Sequence, residues 1–392
     1  PLLEGVTSEA AAGKQRPLFS TGLSRRGFLK GAAIGAGALA LAEWGPTLAS
    51  AIPAEAVPRR WDDEADVVVI GGGGAGLVAA IRARELGATV IVFEKSARCG
   101  GTTAVSGGVI QASSTPYQRA AGITGDSPDL HYRFWLEQSE GIAEPDLVRV
   151  LADEAPKSIE WLADRGVKFT SVSPLGRIPF VDPEMNVPRI HAVEGGGGGL
   201  MKTIEEVAEA RGATIRTNTR VVALVADEEL GVIGVKAERR GRDLYVKATR
   251  AVILATSSFD HNREMARAFS PQQLWALESG KCVCVPTNEG DGIRMAMGVG
   301  ADLAGMGGTI GYTGVEIGRS EEMPGIWVNK LGLRFVDEAT HYAYAMWAVF
   351  EQPLNEAWAI FDEKTKSLGG KRIGGLFQSW SDDLSAEITS GL

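Results

Sequence analysis

The chain has 392 residues, which is enough for a large hydrophobic core and predicts two or three domains. Its formal net charge is −9 and it carries no basic stripe, which argues against nucleic acid as a partner. Its three cysteines, Cys99, Cys282 and Cys284, are too few for a disulfide framework or a four-ligand zinc site. Each is therefore predicted to be a small buried apolar residue, and no metal site is predicted.

Residues 1–61 are predicted to be a disordered N-terminus, a targeting signal and a linker. Residues 24–30 read SRRGFLK and precede a run rich in Ala, Gly and Leu, followed by small residues at 49–51. This order resembles a twin-arginine export signal. The apolar run is short and rich in glycine, which disfavours a membrane span. The alternative is an N-terminal helix with two surface arginines.

A strand–turn–helix pattern follows the linker. The apolar run Asp66–Ile70 does not alternate with polar residues, which predicts a strand buried on both faces. Gly71, Gly73 and Gly76 then follow in a G-x-G-x-x-G pattern. In that pattern the first glycine permits a tight turn, the second lets backbone approach a pyrophosphate, and the third lets the helix pack on the strand.

The second half of this unit supplies the other features of a dinucleotide site. The helix predicted over Ala75–Leu86 directs its N-terminal N–H groups at the phosphates. Glu94 closes the strand predicted over Thr89–Phe93, at the offset where an acid accepts hydrogen bonds from a ribose. The alternative is a glycine-rich turn in an ordinary βαβ unit, which does not require Glu94.

Two further glycine-rich segments are candidate ligand contacts. Residues 100–108 read GGTTAVSGG, a composition that suits backbone lying against a flat ligand, although it also suits a flexible loop. Gly195–Gly199 precedes a helix predicted over Leu200–Ala210 and is interpreted either as a cofactor or substrate contact or as a mobile turn. His191 comes just before it, and a lone histidine is more often structural than a ligand.

The later part of the chain predicts strands. The patterns indicate strands over Thr214–Ala226, Val232–Ala237, Leu244–Ala248 and Ala251–Ala255, forming a small sheet that completes the domain. Asp291 precedes a helical pattern, so an N-cap role is one interpretation of it.

The order VVVIGGGGAG, VFEK and GGTTAVSGG resembles the flavoprotein subunits of the fumarate reductase/succinate dehydrogenase family, which includes the 3-ketosteroid dehydrogenases. The resemblance continues at Arg220–Leu224, Ala251–Thr256, Gly290–Gly292 and Val328–Glu338.

The resemblance implies an α/β fold: a Rossmann-like, glutathione-reductase-like FAD-binding domain with an inserted α+β cap domain. The FAD-binding domain is predicted over 62–312 and the start of the cap over 313–392. The cap is expected to be incomplete at the C-terminus, since the family continues beyond this point.

The resemblance also implies which residues bind FAD. It places the pyrophosphate against Gly71, Gly73, Ala75 and Gly76, the adenosine ribose at Glu94, the ribityl chain and isoalloxazine along Thr102, Thr103, Ser106, Gly107 and Gly108, the adenine by Val221, and a further flavin contact at Asp291. After Thr256 the family usually has two glycines, and this chain has Ser257 and Ser258. Because serine tolerates a positive φ less readily than glycine, the backbone there is expected to differ.

The reaction is predicted from the cap. In the dicarboxylate-reducing members a catalytic arginine stands four residues beyond the glutamate of the R-F-V-x-E motif. Here that motif is Arg334–Glu338 and the arginine position is Tyr342. Without a guanidinium there is no bidentate partner for a carboxylate, so reduction of fumarate is disfavoured. A tyrosine at this position resembles the ketosteroid dehydrogenases, in which tyrosines polarise a ketone or accept a proton. The alternative interpretation of Tyr342 is a tyrosine packed in the core.

The resulting hypothesis is an exported FAD-dependent oxidoreductase that moves hydride between flavin and a carbon–carbon bond adjacent to a carbonyl in a small-molecule substrate. The alternatives are a fumarate-like reductase of unsaturated acids and a truncated FAD-binding module without catalysis. The chain has no C-x-x-C-H haem motif, so its electron donor or acceptor is expected to be a separate partner. Export by the twin-arginine machinery suits a protein that must fold around its cofactor before leaving the cytoplasm.

Overall fold

The computed structural model describes residues 60–227, 229–280, 282–309 and 324–368, with short pieces at 52–53, 56, 372–373, 376–377 and 385. All of them belong to one compact unit, Ala49–Leu392. Within these ranges no helix is both long and apolar enough to cross a membrane. The predicted export signal lies outside the described residues.

The described elements alternate between strands and helices. The strands are β1 (Ile52–Pro53), β2 (Asp63–Ile70), β3 (Val90–Phe93), β4 (Val109–Gln111), β5 (Phe169–Ser173), β6 (Ile190–Val193), β7 (Thr214–Arg216), β8 (Arg220–Asp227), β9 (Gly231–Arg239), β10 (Arg242–Leu254), β11 (Gly325–Val328), β12 (Trp358–Phe361), β13 (Arg372–Ile373) and β14 (Leu376–Phe377). The helices are α1 (Gly74–Glu85), α2 (Gly101–Val105), α3 (Pro116–Ala120), α4 (Pro128–Gln138), α5 (Pro145–Ala163), α6 (Gly196–Ala210), α7 (Arg263–Phe269), α8 (Pro271–Glu278), α9 (Asp291–Gly298), α10 (Tyr342–Phe350) and α11 (Glu363–Lys366).

The main sheet has seven strands in the order β1-β8-β9-β10-β2-β3-β7. Strands β10, β2, β3 and β7 run parallel, whereas β8, β9 and β10 form an antiparallel meander. Val67 lies opposite Val90, and Ile70 lies opposite Phe93. The predicted α/β fold is therefore confirmed, with one parallel half that carries the glycine-rich turn.

Strand β2 is buried on both faces, as its unbroken apolar run predicts. Val67 and Val69 pack on one face of the sheet with Leu77 of α1 and Ile204 of α6. On the other face Val68 and Ile70 pack with residues of β8, β9 and α9, which are Val221, Leu224, Val235 and Met295. The central strand thus holds two hydrophobic layers together, which rigidly places its carboxyl end.

The strand predicted over Thr214–Ala226 is wrong in one respect, because the structure divides it into β7 and β8. Asn218, between them, has a φ of +49°, a left-handed conformation that interrupts a strand. In contrast, the two strands predicted after Arg242 form a single strand, β10, with an irregularity between Ala248 and Ala251. These strands extend the main sheet rather than forming a separate small one.

The glycine run at 195–199 is not a mobile turn. Gly195 is the N-cap of α6, with a φ of +74°, and the helix begins at Gly196, four residues earlier than predicted. The N–H of Gly197 donates to the carbonyl oxygen of Ser106 at 3.1 Å. The run therefore packs the start of α6 directly against the glycine-rich segment that follows β3.

Residues 324–368, which the sequence assigns to the cap, carry a small core of their own. Trp327 of β11 packs against Met346 and Val349 of α10, and Trp275 of α8 joins this cluster. Glu338 is buried and accepts from the backbone N–H of Trp327 at 2.7 Å. It also accepts from Nη2 of Arg334 at 2.6 Å, so the R-F-V-x-E motif is tied to β11 by a side-chain ion pair.

Segment 174–188 reaches the same region through Arg177. Its guanidinium lies 2.7 Å from Oδ2 of Asp337, and its carbonyl oxygen accepts from the Thr340 hydroxyl at 2.8 Å. The ring of Phe180 lies 5.5 Å from that of Tyr344, centroid to centroid. These contacts join the residues just before α10 to the FAD-binding domain.

Two glycines of α6 test how closely this helix is packed. A Cβ at Gly197 would lie 1.9 Å from the carbonyl oxygen of Thr103, whereas a Cβ at Gly198 would meet nothing nearer than Ala104 O at 3.7 Å. We expect Gly197→Ala to lower the free energy of unfolding by roughly 1–3 kcal/mol through overpacking. Gly198→Ala, its control, should be neutral or stabilising by up to about 1 kcal/mol. Urea denaturation of both variants measures this, and equal effects would contradict the packing described.

Candidate functional site

A groove opens at the carboxyl ends of β2 and β3, where α1 begins. The N-cap of α1 is Gly73, which makes no side-chain capping bond, and the first turn holds no acidic residue. Apart from the N–H of Gly74, which donates to the Thr103 hydroxyl, the N–H groups of this turn and the positive end of the helix dipole are thus available to an anion. This is the arrangement that binds a pyrophosphate.

Close backbone packing shapes the turn before α1. Gly71 has a φ of +105°, and a Cβ on it would lie 2.2 Å from the carbonyl oxygen of Ala255. A Cβ on Gly76 would lie 1.9 Å from the carbonyl oxygen of Gly71. Gly73 has nothing nearer than 3.8 Å, so its Cα faces the open groove. The turn predicted at Gly71 and the close packing predicted at Gly76 agree with these environments, whereas the pyrophosphate contact predicted at Gly73 stays a prediction.

Glu94 lies at the end of β3 and is 8% exposed. Its Oε2 accepts from the N–H of Gly72 at 2.8 Å, and its Oε1 accepts from the N–H of Ser96 at 2.8 Å. These bonds hold the carboxylate at the groove wall. Each oxygen has a second lone pair, so the carboxylate can also accept from the hydroxyls of a ribose.

Asp291, at the start of α9, is another residue of the groove wall. Its carboxylate is 2.8 Å from Nη2 of Arg220, 3.0 Å from Nζ of Lys95 and 3.0 Å from Nη2 of Arg294. Burial alone would raise the pKa of Asp291, but Arg220 and Lys95 lower it below its ordinary value of 3.8. The N-cap interpretation is wrong, because Gly290 is the N-cap and Asp291 is the first helical residue.

The remaining wall carries hydroxyl and amide groups. The hydroxyl of Thr103 accepts from the N–H of Gly74 at 3.2 Å, which attaches α2 to the start of α1. Nδ2 of Asn288 donates to the hydroxyl of Thr102 at 2.9 Å. This bond connects α2 to the segment that leads into α9.

The structure brings most of the predicted cofactor residues together. Those that line the groove are Gly71, Gly73, Ala75, Glu94, Thr102, Thr103, Val221 and Asp291. Gly76 lies beneath it in the helix packing. Ser106, Gly107 and Gly108 are not in the groove wall: the Ser106 hydroxyl donates to Thr103 O at 2.8 Å, and Gly108 packs against Gly196.

Several lining residues were not predicted as cofactor contacts. Lys95 and Arg220 adjoin the predicted Glu94 and Val221, and both sit in the motifs that carry the family resemblance. Other residues of the wall are Ile70, Gly74, Phe93, Gly101, Thr219, Ala255, Thr256, Ser257, Thr287, Asn288 and Met295. No sequence motif marks Asn288 as a cofactor contact. It reaches the groove because it lies just before Asp291 in the chain.

Two further candidates lie away from this groove. His191 is fully buried, with Nε2 2.7 Å from the hydroxyl of Thr115 and Nδ1 2.7 Å from the carbonyl oxygen of Arg189, so it is structural. Tyr342 is the first residue of α10 and its ring stacks 4.2 Å from that of His341. It is not among the residues that line the groove, and its catalytic role stays a prediction.

The cysteines differ from the expectation. Cys99 is buried as predicted, and burial raises the pKa of its thiol to about 12. Cys282 and Cys284 are only half-buried, so the prediction is wrong for these two. Within the described ranges no cluster of His, Cys, Asp and Glu side chains could hold a metal ion.

The parallel sheet, the uncapped helix and the buried acid at the next strand end define a dinucleotide-binding α/β protein. Comparison with known proteins specifies the dinucleotide. The family model described as "FAD binding domain" matches residues 66–373, and the chain belongs to this family. The predicted cofactor, FAD, is confirmed at this level. The N–H groups at the start of α1 can donate to its diphosphate, and the Glu94 carboxylate can accept from its ribose hydroxyls.

Sequence relatives are reductases by name. The chain is 31% identical over 314 residues to a fumarate reductase (cytochrome) of Shewanella frigidimarina, covering 78% of this chain and 53% of that protein. It is 31% identical over 374 residues to a digoxin reductase of Eggerthella lenta, covering 83% of this chain and 66% of that protein. The chain thus spans about half to two thirds of the length of these relatives.

Solved structures include both branches that the sequence resembles. A 3-ketosteroid-Δ4-(5α)-dehydrogenase from Rhodococcus jostii, in complex with 4-androstene-3,17-dione, matches with a TM-score of 0.72 and 32% identity, covering 81% of this chain and 70% of that chain. The open conformation of a flavocytochrome c3 fumarate reductase matches with a TM-score of 0.61 and 26% identity, covering 78% and 54%.

The ion pairs of Asp291 make stability depend on pH. Because its folded pKa is lowered, its contribution is complete above the unfolded value of 3.8 and is lost as the pH falls through the folded pKa. We expect Asp291→Asn to cost about 1–3 kcal/mol at about pH 6 and less at about pH 3.5. Glu278→Gln, which breaks an exposed pair with Arg263, should cost less than about 0.5 kcal/mol. Urea denaturation at both pH values tests this, and a cost for Asp291→Asn that does not change with pH would contradict it.

Ser257 adopts the left-handed conformation, with a φ of +63°, at the groove wall. A serine there is strained by about 1–2 kcal/mol, part of which is offset by the greater entropy loss of glycine. We expect Ser257→Gly to stabilise the protein by up to about 1 kcal/mol. Ser258→Gly should destabilise it, since Ser258 has no positive φ and its hydroxyl donates to Asp260. Thermal unfolding of both variants checks the difference in sign.

Proposed function

We propose that this protein is an exported FAD-dependent oxidoreductase that moves hydride between flavin and a carbon–carbon bond adjacent to a carbonyl. The observation that carries the cofactor part is the groove, in which the start of α1 and the buried Glu94 lie side by side, joined by the hydrogen bond from the N–H of Gly72 to the carboxylate. When bound, FAD supplies the two-electron chemistry. In this proposal the residues of the chain bind the cofactor and donate or accept the proton that is transferred with the hydride.

The groove residues have separate tasks in this proposal. The first turn of α1 offsets the charge of the diphosphate, and Glu94 accepts from the ribose hydroxyls. Asp291, held by Arg220 and Lys95, fixes the wall between β8 and α9. Because these groups are already hydrogen-bonded in place, little side-chain order has to be gained on binding.

Tyr342 is the residue that we assign to the proton. Its phenol can donate a hydrogen bond to the oxygen of a developing enolate, or can exchange a proton with the substrate carbon. Arg334 of the R-F-V-x-E motif is bound through Nε and Nη2 to the buried Glu338, at 3.0 and 2.6 Å, which ties it to β11. The oxygen of a carbonyl substrate needs only a neutral hydrogen-bond donor, which a tyrosine supplies. A dicarboxylate would need a cationic partner instead, so Tyr342 favours a carbonyl substrate.

The similarity to the ketosteroid dehydrogenase solved with a steroid dione supports a ketone substrate. The second candidate, a fumarate-like reductase of unsaturated acids, is supported by the identity to the fumarate reductase (cytochrome). In either case the electrons pass to or from a separate carrier. The third candidate is an FAD-binding module without catalysis of its own.

The three candidates differ in spectrum and turnover. The chain should first be reconstituted with FAD, and its visible spectrum should show the flavin bands. We then expect turnover of a 3-ketosteroid with a dye as electron acceptor, and little reduction of fumarate by a reduced viologen. Tyr342→Phe should lower ketosteroid turnover by about 10²-fold or more, because general acid–base groups contribute that much. Tyr132→Phe, on α4, is the control and should leave turnover unchanged.

Other outcomes select the other candidates. Reduction of fumarate without turnover of the ketone would favour the unsaturated-acid reductase. Bound flavin with neither activity would favour the binding module. No flavin bands after reconstitution would overturn the cofactor assignment for this chain.

A further inference from the structure

Cys282 and Cys284 lie on the chain between α8 and α9, close to the groove. Both are half-buried, and Val283 between them is 74% exposed, so this stretch of the chain lies at the surface. A few residues later, Asn288 donates through Nδ2 to Oδ2 of Asp260 at 2.8 Å and to the Thr102 hydroxyl at 2.9 Å. Asn288, which follows the cysteine pair in the chain, thus connects this segment to the groove wall.

The sulfur of Cys282 has two N–H groups near it, and its thiol donates to the carbonyl oxygen of Asp260 at 4.0 Å. Nε2 of His261 lies 3.4 Å from Sγ, and Nε2 of Gln273 donates to Sγ at 3.4 Å. Nε2 of His261 is also 2.9 Å from the carbonyl oxygen of Cys284. A carbonyl oxygen only accepts, so this nitrogen carries a hydrogen, and it donates toward the sulfur as well. Two N–H groups from separate elements therefore face the Cys282 sulfur, which makes Cys282 the candidate for the reacting thiol.

Cys284 has the opposite surroundings. Burial raises the pKa of its thiol to about 12, and the nearby Asp260 carboxylate and Cys282 sulfur add to the effect. Asp260 is the acceptor for this thiol and is held in place by Asn288. The two sulfurs are therefore neighbours in different surroundings, with N–H groups at Cys282 and a carboxylate at Cys284, which suits an attacking and a resolving cysteine.

We propose that Cys282 and Cys284 form a redox-active dithiol in which Cys282 reacts with a hydroperoxide and Cys284 then closes a disulfide. In the first step the Cys282 thiolate attacks the peroxide: an S–O bond forms, the O–O bond breaks, and the leaving oxygen takes a proton. Cys282 is oxidised by two electrons to the sulfenic acid, and the peroxide is reduced to an alcohol or water. In the second step the Cys284 sulfur attacks Cys282: the S–S bond forms, the S–O bond breaks, and water leaves with the Cys284 proton. The proposal does not depend on the substrate of the flavin site.

The test uses the full chain, reduced and then freed of reductant. Iodoacetamide is applied without denaturant, and the modification of each cysteine is followed by peptide mass spectrometry. We expect Cys282 to be alkylated at least about tenfold faster than Cys284 or the buried Cys99. After hydrogen peroxide, the peptide that contains both cysteines should have lost two hydrogen atoms, and dithiothreitol should restore them.

Single variants assign the two roles. In Cys284→Ser, dimedone should label a sulfenic acid at position 282 after peroxide treatment, whereas in Cys282→Ser no label should appear at Cys284. His261→Gln should slow the alkylation of Cys282 about tenfold or more, with thermal unfolding showing that the variant is folded. Equal alkylation of Cys282 and Cys284, or a disulfide that links two chains instead of these two residues, would overturn the proposal.

Discussion

The close approach of backbone at the turn between β2 and α1 is the constraint on which the rest of the site depends. Gly71 touches the carbonyl of Ala255, and Gly76 touches that of Gly71, at distances that no Cβ could occupy. These contacts set the start of α1 at the carboxyl ends of the parallel strands. Because β2 is buried on both faces, the turn cannot shift without disturbing two hydrophobic layers. The positive end of α1 is thus a fixed feature of the groove.

Charge is distributed around this fixed point in a consistent way. The chain is acidic overall, yet the groove brings Lys95, Arg220 and Arg294 together around Asp291. Glu94 is held by two backbone N–H groups and needs no cation. A cofactor with an anionic diphosphate and a neutral ribose would meet the positive end of α1 and, beside it, the Glu94 carboxylate as a hydrogen-bond acceptor. The cysteine pair beyond Asn288 adds a second redox centre next to this groove.

Local patterns predicted much of the FAD-binding half. The strand before Gly71, the helix after it and the position of Glu94 follow from residue spacing within one βαβ unit, and the structure has them within a few residues. The errors arise where a local pattern is ambiguous. Asn218 divides one predicted strand, the glycine run begins a helix because it packs on Ser106, and Asp291 yields the cap position to Gly290. In each case contacts with distant residues decided the outcome.

The sequence by itself determined the dinucleotide fold, since an unbroken apolar run, the glycine spacing and a terminal acid are all encoded within a single short stretch. Only the tertiary structure decided how the groove is built, because its wall joins residues that are far apart in the chain, such as Lys95 with Asp291 and Thr102 with Asn288. The same is true of Cys282, whose N–H donors come from α8 and from the loop before α7. Side-chain chemistry between distant elements has no signature in the spacing of residues, and it becomes visible only when the fold brings the groups together.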